Sequence, residues 1–367
     1  MEVNKIHQGD SLEVLKTLPS ETIDCIMTSP PYWALRDYGV EGQLGLETTF
    51  DEYINKLCDI FEEAKRVLKK EGTCWVNLGD TYYGSGKGVG GDLEDSKEVY
   101  QMPKEWDRPS RKAFLETAID KNCLVCKKEI KTGTNGQFCS RKCLNTKGND
   151  FRSQNRLLPD KSLTMIPFRF AIEMVNRGWI LRNTIIWHKP NCMPSSVKDR
   201  FTVDFEYLFF FVKSKKYHFE TQYEPVKESS ISRMGRKWVG SKHQKTNSFS
   251  NGAQIIEAEE RMNKDRWCND KGRNKRAIWS IVPASFSEAH FATYPEELCE
   301  TPIKAGCRRG GVVLDPFFGA GTTGLVSLKQ NKNFLGIELN PEYIKIAMKR
   351  LKPYLDQTKL ETFNVKT

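Results

Sequence analysis

Thr28-Ser29-Pro30-Pro31-Tyr32-Trp33 sets a hydroxyl, two prolines and two aromatic rings directly after an apolar run, Ile23-Asp24-Cys25-Ile26-Met27. The run has the length of a buried strand. Paired prolines stop it and stiffen the loop that follows. A rigid loop at a strand's carboxyl end, offering a small polar group and a flat apolar face, suits gripping a planar ring. The same residues would also make a plain strand-to-helix turn with its aromatics in the core.

A second group lies near the other end of the chain. Gly311-Val312-Val313-Leu314-Asp315 reads as a buried strand. Pro316-Phe317-Phe318-Gly319-Ala320-Gly321-Thr322-Thr323-Gly324 is a tight turn opening a helix, and Asn333–Glu338 is the next strand. Gly319, Gly321 and Gly324 match the glycine fingerprint of nucleotide-binding turns, and Glu338 stands about 20 residues on, where a ribose hydroxyl is held. The ligand is a dinucleotide or another adenosine cofactor. A third group is Cys123-x2-Cys126-x12-Cys139-x3-Cys143. Two close thiolate pairs across a short loop can close a tetrahedron around zinc. All four ligands would be protein-derived, so the site would be structural and not catalytic. Four free thiols in a loop is the bland alternative.

These groups need elements to hold them. Val3–Gly9 reads as a strand ending at Asp10, and Ser11 caps a helix carrying Leu12, Leu15 and Leu18. With Ile23–Met27 this makes a β-α-β unit, whose strands are expected to be parallel and adjacent. A helix from about Phe50 to Lys70 has one apolar face, with Gly72 as its stop. Thr73–Leu78 is a strand, Met165–Arg177 a helix stopped by Gly178, and Trp179–Trp187 and Tyr207–Val212 are strands. Gly84–Gly91 lacks the Gly-Lys-Ser/Thr of a phosphate loop and reads as flexible. After Glu338 only one helix follows, about Pro341 to Leu351, so the carboxyl-terminal segment has no third strand of its own. The amino-terminal strand can supply it. The chain then behaves as a circular permutation, with Gly319, Glu338, Asp10 and Ser29 on one sheet edge.

With 367 residues the chain can bury a large core. Its net charge of +10 points to a polyanionic partner. Residues 217–280 carry 13 Lys and Arg against 8 Asp and Glu, interleaved with Trp238, Trp267 and Trp279. That mixture suits contact with phosphates and bases, although a solvated insert would look similar. No run of 18 apolar residues marks a membrane span, and the amino terminus is not a signal peptide. The 11 scattered cysteines fit a reducing cytoplasm.

Taken together, these motifs resemble the DNA amino-methyltransferases of the permuted β class, found in phages and bacterial restriction–modification systems. The likeness covers residues 1–82, about 157–215, and 273–351. Thr28–Trp33 matches the catalytic motif, and Asp315–Thr323 resembles the methionine-binding loop. Gly336–Pro341 resembles the segment with the ribose-binding acid Glu338. Asn4–Leu18, with Asp10, is similar to the lining of the adenine pocket. Trp187-His188-Lys189-Pro190-Asn191 resembles a motif on the target-base side, and His290–Leu298 an extra cofactor motif. The cysteine insertion departs from the family's minimal pattern.

The resemblance implies an α/β, Rossmann-like, circularly permuted S-adenosylmethionine-dependent methyltransferase fold with a four-cysteine zinc-binding insertion. It divides the chain into a catalytic part (1–83), an insertion (84–156) with the zinc module at 123–143, a continuation (157–216), a target-recognition region (217–280) and a cofactor-binding part (281–367). Ser29, Pro30, Pro31 and Tyr32 would be catalytic. Asp10, Asp315, Pro316, Phe317, Phe318, Gly319, Gly321, Thr322, Thr323 and Glu338 would bind S-adenosylmethionine. Trp33, Trp187, Lys189 and Asn191 would meet the substrate. Cys123, Cys126, Cys139 and Cys143 would hold a zinc ion.

The implied reaction is direct methyl transfer to the exocyclic amine of a base flipped out of double-stranded DNA. Ring-carbon methylation would need a cysteine nucleophile, commonly in a Pro-Cys pair, and the sequence has none. Serine in the first motif position, followed by Tyr-Trp, resembles the cytosine N4 enzymes, with adenine N6 as the alternative. A nicotinamide-dependent dehydrogenase fits the glycine turn alone, and a non-catalytic zinc-containing DNA-binding protein is a lesser alternative. The implied setting is the cytoplasm of a bacterium or phage-infected cell. A cognate restriction endonuclease is a possible partner, and the enzyme would act as a monomer or homodimer.

Overall fold

The structure, a computed structural model, describes residues 2–35, 39–40, 42–47, 49–83, 158–159, 161–226, 272–283 and 294–364. The four cysteines of the expected zinc module, the whole insertion (84–156), residues 227–271 and residues 290–293 lie outside the described residues. The chain divides into two compact units, Met1–Asp80 with Met165–Thr367, and Thr81–Thr164.

The first unit is built on an eight-stranded sheet. In chain order its elements are β1 (Lys5–Gln8), α1 (Ser11–Thr17), β2 (Ile23–Thr28), α2 (Phe50–Val67), β3 (Leu68–Leu78), α3 (Ile166–Asn176), β4 (Ile180–His188) and β5 (Phe205–Val212). There follow β6 (Tyr223–Glu224), β7 (Arg273–Asn274), β8 (Ile278–Ser280), α4 (Glu296–Gly306), β9 (Val312–Asp315), α5 (Thr322–Lys329), β10 (Asn333–Glu338) and α6 (Pro341–Asn364). The strand order is β1-β10-β9-β2-β3-β5-β4-β8. Only β5 runs against the others. The carboxyl ends of seven strands, and the amino end of β5, therefore share one edge. β6 and β7 pair as a separate small ribbon.

The permutation is visible in the pairing. β1 adds in parallel to β10, Lys5 against Leu335 through Gln8 against Glu338. Asn4 ties the two ends further: its side chain donates to Asn333 and accepts from the Phe334 N–H, both at 3.0 Å. β1 and β2 are not adjacent, contrary to the β-α-β expectation. β10 and β9 sit between them, because the carboxyl-terminal strands fill the middle of the sheet.

Alternation along the strands sorts the core. Cys25, Met27, Trp75, Leu208 and Phe210 face one layer, with Leu298, Cys299 and Ile303 of α4. Phe209 and Phe211 face the other, where Phe170 of α3 meets both rings. Both faces of β5 are thus covered, as its unbroken apolar run requires.

Two boundaries differ from expectation. α2 passes straight into β3 at Leu68, which is already extended, so Gly72 is a strand residue and not a helix stop. Its Cβ position is filled by the Leu68 side chain at 2.5 Å. α6 runs on to Asn364 through Pro353, past the expected end near Leu351. In contrast, α3 ends at a left-handed Gly178, as read from sequence.

Of the second unit, Tyr82 pairs antiparallel with Leu163. Tyr83 and Lys161–Ser162 exchange backbone bonds at 2.8 and 2.9 Å. The two ends of this unit therefore pair with one another. No helix among the described residues is long and apolar enough to cross a membrane.

Candidate active site

A cavity of about 710 Å3 opens at the shared carboxyl edge of the first unit. Two sets of strand ends build its wall.

The first set is β1, β10 and β9. Asp10 follows β1 and, in place of the expected Ser11, caps α1, its carboxylate accepting from the Glu13 N–H at 3.1 Å. Ser11 donates to the Pro316 carbonyl at 2.5 Å, joining α1 to the loop after β9. That loop is folded by its own backbone. Phe318 N–H donates to the Ile337 carbonyl at 2.9 Å, and Gly321 N–H to the Phe318 carbonyl at 2.9 Å. Gly319 and Gly321 take φ values of +51° and +79°, a region glycine reaches without strain. Gly324 and Gly336 have a different task. A Cβ on either would lie 2.6 or 2.5 Å from the Phe318 ring, so these two glycines make its seat.

Asp315 is the hub under this loop. It is fully buried and accepts from Thr28 Oγ1 (2.6 Å), Thr323 Oγ1 (2.7 Å), Tyr294 Oη (2.9 Å) and the Phe317 N–H (3.0 Å). Burial pushes its pKa up, and these donors counter that. Glu338 ends β10 on the cavity wall and accepts from the Gly319 N–H at 2.7 Å and the Asn340 N–H at 2.8 Å. Its pKa is also raised, chiefly by burial.

The second set is β2, β3, β4 and the start of β5. Ser29 donates to Asn77 Oδ1 at 3.1 Å. The Asn77 amide donates in turn to the Tyr207 carbonyl at 3.1 Å, which fixes which way the amide points. Donating to Asn77, the Ser29 oxygen keeps lone pairs to accept from a ligand in the cavity. Tyr32 donates to Glu206 Oε2 at 2.7 Å and lies 3.1 Å from Asn77 Oδ1. Its pKa is raised by burial and then by the Glu206 charge, so it stays a phenol. Gly79 leaves room for its ring: a Cβ there would come within 2.7 Å. The Pro31 carbonyl accepts from Tyr53 at 2.8 Å, pinning the proline loop to α2. Glu206 also pairs with Lys189, whose ammonium stands 4.4 Å from the centre of the Trp187 ring. Trp187 is held by its own N–H on the Ile281 carbonyl at 2.9 Å.

Asp10, Ser29, Pro30, Pro31, Tyr32, Trp187, Lys189, Pro316, Phe317, Phe318, Gly319, Thr322 and Glu338 line this one cavity. The remaining residues expected at the site do not. Trp33 is buried, its ring edge-on to Phe50 and its N–H on the Glu47 carbonyl at 2.9 Å. The second ring of the motif is thus core, while the first faces the cavity. Asn191 is exposed, beyond the lining. Asp315, Gly321 and Thr323 lie behind the wall and shape the loop. Asn77 and Glu206 line the cavity without having been assigned to the site from sequence. A polar residue at the cavity end of a buried apolar run, residues 74–78 in one case and 207–212 in the other, was their only signal. Among the described residues no group of three or more His, Cys, Asp or Glu could hold a metal ion.

The sheet order and its edge cavity define the fold of S-adenosylmethionine-dependent DNA methyltransferases. Solved structures share it. PvuII DNA methyltransferase (cytosine-N4-specific) superposes with a TM-score of 0.53 at 17% identity, covering 95% of this chain and 86% of that one. TTHA0409 of Thermus thermophilus, complexed with S-adenosyl-L-methionine, gives 0.51 at 19%, covering 96% and 94%.

Sequence likeness is closer elsewhere. Type II methyltransferase M.Cfr9I of Citrobacter freundii is 36% identical over 348 residues, 94% of this chain and 87% of that protein. M.SmaI of Serratia marcescens is 34% identical over 347 residues, 95% and 90%. The DNA methylase family of the N6/N4 kind matches residues 23–349. The chain belongs to that family, among its restriction–modification methyltransferases.

Proposed function

We propose that the protein transfers a methyl group from S-adenosylmethionine to the exocyclic N4 amine of cytosine in double-stranded DNA, after flipping the base into the edge cavity. The observation that carries this is the Ser29–Asn77 bond. It makes the serine oxygen an acceptor at the cavity wall, beside a phenol that stays protonated.

An aromatic amine is a poor nucleophile because its lone pair is delocalised into the ring. Ser29 and the Pro30 carbonyl accept its N–H bonds and favour a pyramidal nitrogen whose lone pair is free to attack. Tyr32, Trp187 and Lys189 hold the base ring and its edge. Asp10, Phe317, Phe318, Gly319, Thr322 and Glu338 hold the cofactor. These residues suit it: the Gly319 Cβ position is open space, and an acid ends the neighbouring strand at the place in the motif that meets a ribose. When bound, S-adenosylmethionine supplies an electrophilic methyl on a good leaving group. An N–C bond would form as the S–C bond of the bound cofactor broke, and the amine proton would leave to solvent.

Serine at position 29, followed by Tyr-Trp after the prolines, supports cytosine. The second reading is N6 methylation of adenine, which the same amine geometry would serve and which the family also includes. Residues 217–280 are proposed to read the DNA site, except Ile278–Ser280: their strand β8 belongs to the main sheet and Trp279 is buried in its core. A cognate endonuclease is proposed from the likeness to type II methyltransferases. Cys123, Cys126, Cys139 and Cys143 are proposed to hold a structural zinc ion, on their spacing alone.

Single-molecule sequencing of DNA from cells expressing the gene tests the reading, because it reports base and site together. Modified cytosines at one short sequence are expected. Unmodified DNA would overturn it.

A further inference from the structure

Beyond Lys189, the loop joining β4 to β5 has no part in the chemistry above, yet it stands on the cavity rim. Lys189 at its start and Glu206 just past its end both line the cavity, and their side chains pair. The Lys189 N–H donates to the Asp204 carbonyl at 2.7 Å and closes the loop at its foot. Between these points lie about 15 residues without helix or strand, a length that is uncommon in a compact domain unless it has a function.

The loop also holds its apolar side chains out in water. Phe201 is 96% exposed and Met193 89%. Val197 and Val203 are exposed as well. Lys198 and Arg200 stand exposed among them, with Asp199 between them and Asp204 at the loop's foot. Large exposed apolar groups rimmed by charge mark an interaction surface. Its occupant should suit a chain of net charge +10, offer apolar crevices, and reach the surface together with whatever enters the adjoining cavity. Duplex DNA meets all three conditions. A base leaving the stack opens an apolar gap, and DNA-binding proteins insert Phe, Met and similar wedges between base steps.

We propose that Phe201 is such a wedge: it enters the base stack where the target base leaves, with Met193 beside it and Lys198 against the backbone. This deepens the DNA methyltransferase reading and rests on it. Phe201 would hold the duplex open while Ser29 works on the extruded base.

The test uses the full chain, S-adenosylmethionine and two duplexes carrying the site read from methylated DNA. In one the target base is paired; in the other it faces a mismatch and is already loose. Phe201→Ala should slow methyl transfer on the paired duplex about tenfold or more, and stay within about threefold of wild type on the mismatched one. Phe201→Trp should keep most of the rate on both. A wild-type rate for Phe201→Ala on the paired duplex would overturn the proposal, as would equal losses on the two duplexes. A change from dimer to monomer in Phe201→Ala would overturn it in favour of a contact between copies. Wild-type protein that methylates neither duplex would instead defeat the underlying methyltransferase reading.

Discussion

The two halves of the cavity wall are built by different means. The cofactor half is built chiefly from one segment, Asp315 to Glu338, folded on itself and tied to the amino-terminal elements by Ser11 on Pro316 and Thr28 on Asp315. Its bonds run mostly between side chains and nearby backbone, as from Gly319 to Glu338, 19 residues apart. The amine half is a relay of side chains from four strands. Ser29 reaches Asn77 across 48 residues, Tyr32 reaches Glu206 across 174, and Lys189 closes the relay. A wall made locally tolerates change at its edges, whereas a relay depends on every member having its partner.

The largest effect is expected where the relay meets the reacting amine. Ser29→Ala should lower methyl transfer by about 10²–10³-fold while cofactor affinity stays within about threefold. Equal losses in both would erase the distinction between the halves. Glu338→Ala should do the reverse, weakening cofactor binding about 10-fold to 100-fold by removing a charged acceptor and loosening the Gly319 loop. Titration calorimetry with the cofactor reads this directly.

Two milder variants sharpen the relay. Glu206→Gln keeps an acceptor for Tyr32 but loses the Lys189 charge pair. It should cost transfer roughly 10-fold with unchanged cofactor affinity. Gly79→Ala puts a methyl into the Tyr32 ring. It should slow transfer about 3-fold to 10-fold, and a normal rate would show that the ring's position is not critical.

The smallest effect concerns pH. Glu338 has a raised folded pKa, so folding favours its protonated form. Its contribution is present below the ordinary carboxylate range and is lost as pH rises through the folded value. Cofactor-free Glu338→Gln should therefore lose less stability than wild type over that rise, as denaturant midpoints would register.

This contrast also explains what could be read from the sequence. Gly319, Gly321 and Glu338 announce themselves because their roles are set within one short segment. Ser29 and Tyr32 were legible as a motif, but their partners were not. Asn77 and Glu206 are lone polar residues beside buried apolar runs, brought together only by the sheet. Position within a motif misled at Trp33, because alternation around the proline loop turns one aromatic to the cavity and the next to the core. The permuted pairing of β1 with β10 followed from a missing strand. The separation of β1 from β2 did not, since nothing local says that two later strands will enter between them. The cysteine quartet rests on spacing alone, and about one zinc per chain in metal analysis of protein purified without chelator is the expected result.

The central claim is that the amine half presents an acceptor to an exocyclic amine of cytosine. Purified protein should be incubated with duplex DNA and methyl-labelled S-adenosylmethionine, and the DNA digested to nucleosides for chromatography. Label in N4-methylcytosine, lost in Ser29→Ala, is the predicted result. Label in N6-methyladenine would contradict the choice of base, and label in 5-methylcytosine, or none, would contradict the account of the site.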